Sequence, residues 1–214
     1  MLYVFASALA APLPVVAIGD GLGAGPPPSV EAGSATVPGG WVPVLADCLE
    51  ERAPKRFTVV DRAVAGETVA TARPKIVQVR ELGAAWVIVT LGAQELSDEA
   101  LDPKKLKEDL AGLIGELKGK KGPKVLLVGL VPPTLSQVDG ADAARQPALD
   151  ERTAKANVAL SELAAASDAV KHLDLWTDWP HEGPGRAALT QQGWSLSDQG
   201  HARVAAAVCD TLLR

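Results

Sequence analysis

The sequence is poor in cysteine: Cys48 and Cys209 are the only two. They stand too far apart for a zinc motif, whose ligands come in closely spaced pairs. Read alone, they are either two small buried hydrophobes or the two halves of a bridge. A basic excess is also missing. Lys and Arg number 21 against 26 Asp and Glu, a formal charge of −5, so there is no cationic footprint for nucleic acid. The stretch richest in lysine, "PKKLKEDLAGLIGELKGKKGPK" at 103–124, mixes both signs and reads as a solvated helix face. Beyond residue 11 no apolar run is long enough to span a bilayer. Finally, no Walker-type Lys-Ser/Thr pair occurs in the glycine-rich loop near the N-terminus. The spacing of Gly19, Gly21 and Gly23 does not make a dinucleotide fingerprint either, which argues against a phosphate cradle there.

What remains is the composition of an ordered single domain: 214 residues, 47% hydrophobic and 22% charged. The opening "MLYVFASALAA" is apolar and ends in small residues like a cleavage site, yet lacks a basic start. Residues 1–12 are therefore set apart as a signal remnant or a loose terminus, and 13–214 as the domain. A signal would place the protein in the periplasm or outside the cell; otherwise it is cytoplasmic.

Five β-branched apolar runs predict strands: "LPVVAIG" at 13–19, "FTVVDRAV" at 57–64, "AWVIVTLG" at 85–92, "KVLLVGLV" at 124–131 and "AVKHLDLW" at 169–176. Their continuous apolar character suits strands covered on both faces. Helical spacing appears between them: Trp41, Val44, Leu45, Cys48 and Leu49; then Leu106, Leu110, Ile114 and Leu117; then 149–166; then 201–213 with Val204, Val208 and Leu212 inward. Pro74 should break the second helical segment near Arg73. This alternation predicts an α/β domain on one parallel sheet, with ligands at the carboxyl ends of its strands. The loops after the first three strands, "GDGLGAGPPPSVEAGSATVPGG", "AVAGETVA" and "LGAQELSD", are the ones that matter.

Those loops, together with the C-terminal segment, make the chain resemble the SGNH or GDSL hydrolase family. The resemblance implies a three-layer α/β/α sandwich of flavodoxin-like type with a five-stranded parallel sheet, and an ester-cleaving serine. The family's Gly-Asp-Ser is here Gly19-Asp20-Gly21, so the nucleophile position is a glycine. "AVAGETVA" keeps the oxyanion-hole glycine as Gly66. The family's Gly-x-Asn-Asp is Gly92-Ala93-Gln94-Glu95. Counting back from Gly200-His201 at the start of the last helix puts Gln192 at the catalytic aspartate and Ser195 at the catalytic histidine. A competing register takes Asp198 and His201 themselves as the acid–base pair but needs a deletion before the helix. In the first register Gly21 has nothing to attack with, Ser195 accepts no proton as imidazole does, and Gln192 cannot steady an imidazolium. Four departures, at Gly21, Gln94, Gln192 and Ser195, point to a domain that has lost its chemistry. It would then keep a cradle of Asp20, Gly21, Gly66 and Gln94 for an acyl- or carboxylate-bearing ligand or a protein partner. The family's strand order also puts the first and last helices on one face, where Cys48 and Cys209 could meet. No cofactor and no metal is expected.

Other residues have plainer readings. Ser29 and Ser34 read as polar loop residues, His172 as a satisfied structural histidine, and His181 with Asp178 and Glu182 as an exposed turn rather than a metal site. Trp176, Trp179 and Trp194 cluster near the last block, either as packing anchors or as a platform for sugar or peptide. Asn157 reads as structural.

Overall fold

The fold was obtained as a computed structural model, which describes residues 11–20, 40–97, 102–118, 122–135, 140–190 and 195–214. Five strands form the sheet: β1 (Leu13–Gly19), β2 (Phe57–Asp61), β3 (Trp86–Thr90), β4 (Lys124–Val128) and β5 (Val170–Leu173). All neighbours are parallel, in the order β2-β1-β3-β4-β5. The chain steps one way from β1 to β2 and the other way to β3, so the crevice of such a sheet opens at the carboxyl ends of β1 and β3.

Among the described residues eight helices accompany the strands, the last two following β5: α1 (Trp41–Arg52), α2 (Val69–Ala72), α3 (Ile76–Glu81), α4 (Ala93–Leu96), α5 (Pro103–Lys118), α6 (Gly140–Ala165), α7 (Gly183–Leu189) and α8 (Asp198–Leu213). α1 packs on α8, while α5 packs on α6, α3 and α2, giving one helical layer on each face of the sheet. Successive residues of β1 and β3 (Val15, Val16, Ala17 and Ile18; Val87, Ile88 and Val89) are at most 1% exposed. Neither face of these strands meets water, which is why their sequence runs apolar instead of alternating.

The helices follow from their apolar stripes. In α1, Trp41, Val42, Leu45 and Leu49 are buried; in α8, His201, Val204, Ala205, Val208, Cys209 and Leu212 are. Full burial of each such aliphatic side chain is worth about 1.5–3 kcal/mol. The Ser197 hydroxyl caps α8 by accepting from Gly200 N at 3.1 Å. Between the two helices Cys48 and Cys209 form a disulfide, with their Cα atoms 6.4 Å apart. Pro74 acts as expected: α2 ends at Ala72, a 3₁₀ turn spans Arg73–Lys75, and α3 restarts at Ile76.

Several expected boundaries are corrected. The second to fifth strands end two or three residues before the apolar runs do; after β3, β4 and β5, Leu91, Leu130, Val131 and Leu175 are buried in loops rather than paired in the sheet. α6 starts at Gly140, not at 149, and carries Pro147 inside it. α4 and α7 were not expected at all. Both are too short to show a period.

Candidate functional site

The carboxyl ends of β1 and β3 meet around Asp20. This residue is 1% exposed, and its N–H donates to Thr90 O at 3.1 Å. Its Oδ2 accepts the backbone N–H of Gln94 at 3.1 Å, fixing the first turn of α4 beside the end of β1. Gly19, the last residue of β1, has φ +149°, and a Cβ there would lie 1.9 Å from Thr90 Oγ1. Only glycine lets β1 and β3 close together at this point.

Gly66 lies on the loop after β2 in left-handed backbone, φ +75°. A Cβ on it would be 4.0 Å from Gln94 Oε1, so the glycine and the Gln94 side chain face one another across the crevice. Both residues are exposed. Asp20, Gly66 and Gln94, joined by expectation in the sequence, are therefore brought to one place. Gly21 and Gln192 lie outside the described residues, as do Ser29, Ser34 and Trp194.

Two acidic residues of this region were not singled out for the site: Glu67 carried no signal, and Glu95 entered only as the last position of the third family block. Glu67, 4% exposed, accepts Gly19 N–H on Oε2 at 3.1 Å and is ion-paired through Oε1 with Lys75 Nζ. Lys75 also donates to Arg62 O at 2.8 Å. A buried carboxylate with a cation and a backbone donor is compensated, so it can anchor the loop to β1. Glu95 Oε1 accepts Val69 N at 2.6 Å, tying α4 to α2, while its Oε2 is buried with no hydrogen-bond partner among the described residues. A glutamate next to a glycine or at a helix start looks like surface in a sequence. Only the packing shows otherwise.

The C-terminal block is held by backbone and hydroxyls. Thr190 and Leu196 form an antiparallel bridge, and Thr134 and Thr190 share a hydroxyl hydrogen bond at 2.5 Å. Ser197 Oγ donates to Ala188 O at 2.5 Å. Ser195 is exposed just before this bridge-and-cap region. Asp198 is the exposed first residue of α8. His201, in the next turn, is 4% exposed, and neither ring nitrogen has a hydrogen-bond partner among the described residues. Burial lowers its pKa, opposed more weakly by the charge of Asp198. A working acid–base pair requires a hydrogen bond between base and acid. Asp198 and His201 do not make one.

Three other readings are revised. His172, in β5, is half-buried, and its Nε2 has no hydrogen-bond partner among the described residues, so it is not the satisfied histidine expected. His181 is half-buried rather than exposed: its Nε2 is 3.0 Å from Trp176 O, and its ring stands edge-on to Trp176 at 4.5 Å. Trp179 is 2% exposed, with the Arg203 guanidinium 5.2 Å above its ring, and so anchors the loop instead of offering a flat face. Trp176 is half-buried. Asn157 is structural: its Oδ1 accepts Leu130 N and its Nδ2 donates to Leu130 O, both at 2.8 Å, closing the end of β4 like an added strand. Among the described residues no group of three His, Cys, Asp or Glu could hold a metal ion, and no helix is long and apolar enough to cross a membrane.

Solved structures share this architecture. A lipase/acylhydrolase from Enterococcus faecalis superposes with a TM-score of 0.72 at 20% identity, over 94% of this chain and 95% of that one. A catalytic mutant of an acetylxylan esterase from Geobacillus stearothermophilus gives 0.69 at 18% identity, over 94% of both chains. A carbohydrate acetylesterase from Sinorhizobium meliloti gives 0.66 at 18%, over 94% and 98%. No curated protein matches the chain. The family model of the GDSL-like lipase/acylhydrolases matches residues 17–203, from the middle of β1 into α8. That match takes in the Asp20 corner, the Gly66–Gln94 crevice and the block before α8, and the chain belongs to the GDSL-like lipase/acylhydrolase family.

Proposed function

We propose that this member of the family binds an acyl- or carboxylate-bearing ligand without cleaving it. The observation that carries the reading is the pairing of Gly66 with Gln94 over the Asp20 anchor. A glycine in left-handed backbone and the exposed Gln94 side chain face each other, and Asp20 and Glu67 tie their two segments to the end of β1. The donors that would hold an acyl oxygen here are the Gln94 Nε2, once the amide turns from its present Oε1-inward position, and the backbone N–H of Gly66. Residue 21, which follows Asp20 in the sequence, is a glycine and carries no hydroxyl. The histidine of the last block is packed away from water without an acid partner. Loss of the acyl-accepting hydroxyl removes the covalent route. Among the similar structures are an acetylxylan esterase and a carbohydrate acetylesterase, which makes O-acetylated saccharides the first ligands to test. The Cys48–Cys209 bridge fits an oxidising compartment.

Short-chain p-nitrophenyl esters should turn over no faster with the native protein than with a denatured control, and fluorophosphonate probes should not label it. Gly21→Ser alone should leave both results unchanged. Turnover by the native chain would refute the reading. Strong rescue by Gly21→Ser would show that a base survives, His201 being the one to test next. Gln94→Ala should weaken equilibrium binding of an acetylated saccharide about tenfold, the value of one hydrogen bond.

A further inference from the structure

The bridge between the two outer helices has a chemical polarity that holding them together does not require. In α1, Arg52 stands four residues after Cys48, so the two side chains share one face of the helix. From there the guanidinium reaches across to α8: its Nη1 donates to Cys209 Sγ at 3.9 Å and to Asp210 Oδ1. Arg52 closes the last turn of α1, where a cation complements the helix dipole, and that accounts for its charge. It does not account for a donor set on the sulfur of another helix. Cys209 is 0% exposed, whereas Cys48 is half-buried. The two halves of one bond therefore differ: Cys48 meets solvent, and Cys209 meets a cation.

Thiol–disulfide exchange is sensitive to both differences. The attacking thiolate needs access to the sulfur it strikes, and the other sulfur departs faster the better its thiolate is stabilised. Apolar burial disfavours a thiolate departing at Cys209, and a guanidinium hydrogen-bonded to that sulfur offsets the burial. The Asp210 carboxylate takes up part of the guanidinium charge but fixes the group against α8, beside the sulfur. Attack at Cys48 is thus the route that both access and charge favour.

We infer that Cys48 is a thiol-modification site, at which a low-molecular-weight thiol opens the bridge. The thiolate attacks Cys48 Sγ and forms a mixed disulfide with it. The Cys48–Cys209 bond breaks, and its electron pair stays on Cys209 Sγ beside Arg52 until the sulfur takes a proton from water. A second small thiol then attacks the small-thiol sulfur of the mixed disulfide and releases Cys48. Two small thiols are oxidised to one small disulfide, and the bridge is reduced by two electrons. The clasp between α1 and α8 is what such a medium loosens, whatever the crevice binds.

The test incubates the full native chain with reduced glutathione near neutral pH, quenches in acid, blocks free thiols with N-ethylmaleimide and maps the adducts by mass spectrometry. Glutathione should be found on Cys48, with the blocking group on Cys209, about ten times more often than the reverse. Arg52→Gln should slow loss of the bridge about fivefold. Lys155→Gln, the same charge change on exposed α6, should react at the native rate. In concentrated urea the preference for Cys48 should vanish, and native and Arg52→Gln chains should react alike. A variant that merely loosened the fold would react faster, not slower, and the site of the adduct is read on the native chain without any variant. An adduct shared evenly in the folded protein, or one mainly on Cys209, would overturn the inference. So would Arg52→Gln reacting as fast as the native chain, or a bridge that opens only in urea.

Discussion

Two histidines and one asparagine show how single side chains shape this molecule. His201 and His172 both have their pKa lowered, in each case chiefly by burial. The folded protein then resists protonation at these rings while the unfolded chain takes up protons near pH 6.5. More protons on the unfolded state means stability rises with pH, so it is complete above about 6.5 and is lost as pH falls below that value. Urea midpoints should drop between about pH 7.5 and pH 5, and the drop should shrink in His201→Leu. An unchanged pH slope in that variant would show that the ring is hydrated in solution. Asn157 makes a different prediction. Asn157→Ala would leave both Leu130 N and Leu130 O buried and unpaired, at a cost of about 2–4 kcal/mol in urea unfolding. The sequence marked these positions but not their states, because a histidine or an asparagine reads the same whether it is paired or orphaned.

Among the elements, the α1–α8 pair tests how the outer layer is held. The disulfide joins residues 161 apart in sequence. In the chain-entropy description a loop of that length is worth up to about 5 kcal/mol, through restriction of the unfolded state. Cys48→Ala with Cys209→Ala should lower the urea midpoint accordingly while leaving ester and ligand assays unaffected, since the bridge lies on the outer helices. Mass spectrometry of unreduced protein should find the linkage. The elements themselves were legible to the extent that burial alone formed them. β1, β3 and α8 could be read from runs and stripes, and Pro74 marks a real break. Legibility failed where a polar clasp does the work. The first turns of α6 went unread because "GADAARQPALD" has alanine but almost no large apolar side chain, and a proline, yet Gln146 bonds Leu135 N and Pro133 O, and Asp150 takes a two-pronged pair from buried Arg186. Those contacts bring residues from three segments together, and no local pattern encodes them. Strand ends were overrun for a related reason: Leu130 and Val131 are as buried as β4 itself, though they hang from its end.

At the scale of the whole molecule, the carboxyl ends of one parallel sheet gather Asp20, Gly66 and Gln94 from three loops, which the family's spacing made visible in advance. A domain that binds rather than cleaves should respond to ligand as a stability linkage with no product. An acetylated saccharide held at a hundred times its dissociation constant adds about 2.7 kcal/mol to folding, a rise of about 5–10 °C in Tm at this chain length. The shift should persist undiminished through hours of incubation, because the ligand is not consumed, and Gln94→Ala should need about ten times more ligand to reach it. A shift that decays as acetate accumulates would identify a slow esterase. A persistent shift indifferent to Gln94 would move the binding site away from the Gly66 crevice.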